Sequence, residues 1–126
     1  MLQGNAVTQL FAAVGLSPCG PVRWGDPCPE RQPGVYVVVT SPPETVVYVG
    51  RTKRALARRL REFYRHVYGD KRPHRGGQEV LTLTGERWVY WCATDNPREV
   101  ERILLDTYKA QTGSLPSANR RLGDSR

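Results

Sequence analysis

The chain has 126 residues, enough for one compact domain with a sizeable core but not for two. Its 39% hydrophobic and 25% charged residues are ordinary for a globular protein. No apolar run approaches the ~20 residues that cross a bilayer, and the start lacks the pattern of a secretory signal, so a cytoplasmic location without membrane contact is expected. Net charge is +7, with ten Lys or Arg in residues 51–75 against only Glu62 and Asp70; that window is +8, while the other 101 residues sum to −1. Such clustering replaces counterions along a phosphate backbone and points to a nucleic acid, although a solvated basic helix face or an acidic protein partner produces the same pattern.

In chain order, "AVTQLFAAV" (6–14) predicts a short helix, with Asn5 as cap and Gly15 as stop. "GLSPCGPVRWGDPCPERQPG" follows, holding five of the ten prolines. It reads as an irregular arm that Val22 and Trp24 can pin to the core. Residues 1–33 are therefore expected as a helix and Pro-rich arm packed on a main domain at 34–126. Val35 to Val39 and Thr45 to Val49 are β-branched and aromatic runs joined by "SPPE", which predicts an antiparallel hairpin. "RWVYWCA" (87–93) reads as a third strand. Leu56, Leu60, Phe63 and Val67 recur at intervals of 4, 3 and 4, the signature of one helix face. A last helix starts at "DNPREVERILLDTYKAQTG", with Asn96 as N-cap, Pro97 at the first position, Glu99 completing a capping box, and Gly113 as stop. Its expected core stripe is Val100, Ile103, Leu104 and Thr107. "HRGGQEVLTLTGE" (74–86) fits either a short helix or a strand. The fold class is α+β, a small three-stranded, mostly antiparallel sheet flanked by helices. Cys19, Cys28 and Cys92 lack the short spacings of zinc sites. Cys92 reads as a core residue, and a Cys19–Cys28 disulfide is disfavoured in a reducing compartment.

Two helix positions stand out. Taking about 100° per residue from Leu56, Arg59 falls at about 300°, at the edge of the apolar stripe with His66 beside it, whereas Arg58 points to solvent. Arg59 can either snorkel over the core or present its guanidinium to an adjacent cleft. On the last helix Glu101 lies about 100° from Val100, beside Leu104 and Tyr108. A carboxylate there is either a rim residue or a ligand for a hard cation such as Mg²⁺, which takes one or two protein carboxylates and keeps its waters.

"GVY" at 34–36 and "YVG" at 48–50 resemble the paired signature of the GIY-YIG nuclease superfamily. "GRTKRALARRLREF" is similar to the helix that follows in that family, its Leu-x-x-Arg-Leu pattern matching Leu56, Arg59 and Leu60. "REVERILLDTY" resembles the helix that carries a metal-binding glutamate, here Glu101, and "LPSAN" resembles the closing element, pointing to Asn119. These elements span residues 34–119 in family order. Phe63 stands where the family often has a histidine or tyrosine; His66 or His74 can substitute.

The resemblance implies a metal-dependent endonuclease acting on DNA, with Glu101 holding Mg²⁺ or Mn²⁺ and Arg59 contacting the scissile phosphate. Tyr36 and Tyr48 would present hydroxyls, with Tyr36 as the base or part of its relay and Tyr48 orienting. An unperturbed tyrosine titrates near 10, so that role requires nearby cations or a relay. Arg51, Lys53, Arg54, Arg58, Arg61, Arg65, His74 and Arg75 are expected to hold the nucleic-acid backbone. Gly34, Gly50, His66 and Asn119 are expected to support the site. Two other readings are a nucleic-acid-binding module that cuts nothing and a basic subunit of a larger nuclease complex, with a protein partner supplying specificity.

Overall fold

A computed structural model of the chain describes residues 5–41, 44–64 and 86–121. Within them lie helix α1 (Asn5–Ala12), strands β1 (Cys19–Arg23), β2 (Gly34–Ser41) and β3 (Thr45–Thr52), helix α2 (Leu56–Tyr64), strand β4 (Glu86–Ala93), helix α3 (Pro97–Thr112) and the short α4 (Ser117–Arg121). The class is α+β. Among the described residues the sheet has four strands rather than three, in the order β1-β4-β2-β3, with every pairing antiparallel. The extra strand comes from the arm expected to be irregular: Cys19 pairs with Trp91, Val22 with Val89 and Arg23 with Trp88, with a register shift between Cys19 and Val22. β4 otherwise has an open edge, and the tertiary demand to pair it overrides the poor strand propensity of "CGPVR".

Helices cover both faces of the sheet, and this explains the apolar run of β2. Residues from Val35 to Val39 are all buried, as expected of a central strand with no solvent-facing side. Val35, Val37 and Val39 pack with Val7, Leu10 and Phe11 of α1 and Val100 and Leu104 of α3. Tyr36 and Val38 pack on the opposite face with Leu56 and Leu60 of α2 and Ala118 of α4. Val22 and Trp24 of the arm pack against this second cluster. Cys28 and Cys92 are buried, and all three cysteines are free thiols.

β3 carries a bulge. Val38 pairs with Tyr48 and Val39 with Val46, leaving Val47 extra. Val46 and Val49 therefore share the α1–α3 face although they are three residues apart, while Tyr48 stands on the α2 face with Tyr36.

On α2, Leu56 and Leu60 are fully buried as the periodicity predicted. The side chain of Phe63, Val67, and all but Glu86 of the 74–86 stretch lie outside the described residues. The free N–H groups of the first turn are met by the arm: Leu56 N–H donates to the Gln32 carbonyl (3.0 Å) and Ala57 N–H to the Glu30 carbonyl (2.8 Å). α3 begins with Pro97 at its first turn and ends at Gly113, whose φ of 93° is left-handed. The expected capping box does not form. Asn96 makes no side-chain cap bond, and the Glu99 carboxylate instead accepts from Arg102 Nη2 at 2.6 Å. The buried stripe is also rotated from the expected one: Pro97, Val100, Glu101 and Leu104 are buried, whereas Ile103 and Thr107 are half-exposed.

Candidate active site

Tyr36, in the middle of the sheet, pairs with Gly50. Its ring lies over that glycine: a Cβ at Gly50 would fall 2.5 Å from Tyr36 Cζ and 2.7 Å from its hydroxyl. Tyr48 packs beside it, ring centroids 6.1 Å apart and tilted by 44°. Gly34 has a similar basis, since a Cβ there would collide with the backbone of Cys92 and Ala93 and come within 2.9 Å of Leu56 Cδ1. The two motif glycines thus let an aromatic ring and a helix approach the sheet backbone closely.

Arg59 on α2 is half-buried and faces Tyr36, whereas Arg58 is exposed, as the helical spacing predicted. Its Nε is buried with no hydrogen-bond partner among the described residues. Tyr36 is fully buried, and desolvation pushes its phenol well above the ordinary tyrosine value. Tyr48 and, least of all, the charge of Glu101 push the same way; the charge and hydrogen bonding of Arg59 oppose them without winning. A base role for Tyr36 at neutral pH thus meets a larger barrier than an unperturbed tyrosine would.

Arg51 follows Gly50 and so points to the opposite face, toward α3. There it forms an ion pair with Glu101, whose residue is only 3% exposed. An open cleft of about 340 Å³ adjoins this pair, lined by Arg51, Asn96, Arg98, Glu99, Glu101 and Arg102. The described residues that line it do not include Tyr36 or Tyr48. The four expected catalytic side chains therefore straddle the end of β3, Tyr36, Tyr48 and Arg59 on one face and Glu101 on the other, with Tyr36 inside the field of both Arg59 and Glu101.

Asn119 is fully buried. Its Oδ1 accepts from Val49 N–H (2.8 Å) and its Nδ2 donates to the Val49 carbonyl (3.0 Å). Among the described residues β3 pairs with β2 alone, so this side-chain amide stands in for a neighbouring strand and fixes the backbone between Tyr48 and Gly50.

The basic residues are unevenly disposed. Lys53 and Arg61 are exposed. Arg54 and Arg58 both engage Glu62, at 2.7 and 3.6 Å. Arg65, His66, His74 and Arg75 lie outside the described residues. Arg98, absent from the basic window, lines the cleft from α3 and makes no ion pair among the described residues.

The donor chemistry fits a hard divalent cation. Glu101 supplies carboxylate oxygens beside an open cleft, and Mg²⁺ takes one or two such ligands together with water and substrate oxygens. Among the described residues no group of three or more His, Cys, Asp or Glu converges, so a cation here would not be caged by protein alone. No family model, curated protein or solved structure matches the chain.

Proposed function

We propose that the protein is a divalent-metal-dependent endonuclease of the GIY-YIG type that hydrolyses phosphodiester bonds in DNA. The observation that carries the reading is the pair of charged groups flanking β3: Arg59 against the buried Tyr36 on one face, and Glu101 beside an open cleft on the other. A phosphate seated there meets a permanently protonated guanidinium suited to phosphate oxygens. Bound at Glu101, Mg²⁺ or Mn²⁺ would act as Lewis acid and neutralise charge on the phosphate. Tyr36, held protonated by burial, presents a hydroxyl that steadies Arg59 and can donate toward the phosphate. It would become a base only if a bound cation outweighed burial and the negative charge of the phosphate, both of which hold its proton. Tyr48 orders the Tyr36 ring. Lys53, Arg61 and Arg98 are the exposed cations that would hold the flanking backbone.

The Arg51–Glu101 pair favours a second reading, because it accounts for a buried carboxylate without any metal. On that reading the chain is a nucleic-acid-binding module, or a basic subunit of a larger nuclease, that cuts nothing itself. Supercoiled plasmid with Mg²⁺ separates the two. Cutting by the wild type, abolished by chelator and reduced roughly 10²–10³-fold in Glu101→Gln and Arg59→Ala, supports the nuclease. Binding without turnover across Mg²⁺ and Mn²⁺ supports the module.

A further inference from the structure

Glu101 is a carboxylate almost wholly removed from water, and Arg51 is the cation beside it, its own side chain 35% exposed at the mouth of the cleft. A buried carboxylate needs a compensating positive charge at all times, because an uncompensated one is strongly destabilising. A divalent cation at Glu101 would supply that compensation and at the same time repel a guanidinium at contact distance. The two cations therefore compete for one carboxylate.

The displaced arginine would need another anion. Arg51 has open cleft beside it, and a phosphate offers the planar fork a better bidentate partner than a single carboxylate oxygen. Arg102, on the same cleft, is held along the α3 surface by Glu99 and Asp106.

We infer that Arg51 is an exchange residue: it neutralises Glu101 in the free protein and passes to a substrate phosphate when a divalent cation takes Glu101. This rests on the nuclease reading above. Its consequence is that cation and nucleic acid bind cooperatively, each raising the other's affinity by the same factor. The free protein should hold the cation weakly, so cation occupancy depends on substrate.

The test is Mn²⁺ binding, followed by paramagnetic resonance of free Mn²⁺, to the full chain alone and when saturated with a cleavage-resistant phosphorothioate DNA duplex. For the wild type the dissociation constant is expected to fall by about tenfold with DNA, within the usual range of coupling. Arg51→Met should bind Mn²⁺ about tenfold more tightly than wild type without DNA and gain less from DNA than the wild type does. Arg51→Lys keeps the charge and should retain the coupling, an outcome that a merely structural role for Arg51 would not give. Glu101→Gln should lose the site in both states. Equal wild-type affinity with and without DNA, no tightening in Arg51→Met, or Mn²⁺ binding that survives Glu101→Gln would each overturn the exchange. If Arg51→Met fails to fold, the wild-type and Arg51→Lys measurements decide. If the duplex does not bind at low salt, the nuclease reading fails, while the Arg51→Met comparison, which needs no DNA, still tests the competition at Glu101.

Discussion

The ring of Tyr36 occupies the space where a side chain on Gly50 would begin, with Cζ only 2.5 Å from that position. The tyrosine of the first motif and the glycine of the second are thus one contact across the β2–β3 ladder. Gly50→Ala is expected to destabilise the protein by about 1–3 kcal/mol, because the buried ring has no room to withdraw. Gly34→Ala should cost at least as much, since its Cβ meets the β4 backbone rather than a side chain. Urea denaturation checks both, and Gly50→Ala should also lose activity through the displaced Tyr36 hydroxyl.

Asn119→Ala removes both partners of the Val49 backbone in a buried setting. Each of the two unsatisfied groups costs about 1–3 kcal/mol, so a loss of roughly 2–6 kcal/mol is expected. Hydrogen exchange at the Val49 amide should accelerate more than at Val37 on the central strand. Unchanged protection at Val49 would show that the amide does not hold the edge.

Much of this architecture could be read from residue types, and the exceptions have physical causes. Strands β2, β3 and β4 announce themselves through runs such as "GVYVVV", and Leu56 and Leu60 place Arg59 correctly because helical spacing is rigid. β1 was hidden because Gly20 and Pro21 are poor strand formers; only the open edge of β4 makes them pair. The helical spacing leaves Glu101 as either a rim residue or a cation ligand, because an apolar stripe cannot reveal a buried charge whose partner, Arg51, comes from a strand fifty residues away. Arg98 was missed for a related reason: it lies outside the basic window, and only the fold brings α3 beside β3. The cap at Asn96 failed because Glu99 finds Arg102 three residues on, a stronger charged partner than a backbone N–H.

Stability should fall at high pH. Tyr36 has its pKa raised by burial, so the folded state keeps the proton after the unfolded chain has begun to lose it at about pH 10. The stabilising contribution is complete below that pH and is lost above it, at about 1.4 kcal/mol per pH unit for the one group. Tyr90, Cys28 and Cys92 are shifted in the same direction by burial. Unfolding free energies of wild type and Tyr36→Phe between pH 7 and 11 check this. The wild-type curve should decline more steeply above pH 10, and parallel curves would argue against a buried, protonated Tyr36.

Nucleic-acid affinity should follow the disposition of the cations rather than their number. Lys53→Ala, Arg61→Ala and Arg98→Ala should each weaken binding and reduce the salt slope by about one. Arg54→Ala and Arg58→Ala should do less, because Glu62 already offsets them, and Arg102→Ala less again, being held by Glu99 and Asp106. Fluorescence anisotropy over a salt series reads the slopes.

On the proposed mechanism, a cation on Glu101 and the guanidinium of Arg59 address one phosphate from opposite sides of β3. Anomalous diffraction from crystals grown with Mn²⁺ and a phosphorothioate oligonucleotide tests it most directly. Expected are a manganese peak at the Glu101 carboxylate, Arg51 withdrawn from it, and a phosphate lying between the metal and Arg59. A manganese peak elsewhere, or a bound oligonucleotide whose phosphates avoid Arg59 while Arg51 stays on Glu101, would contradict it.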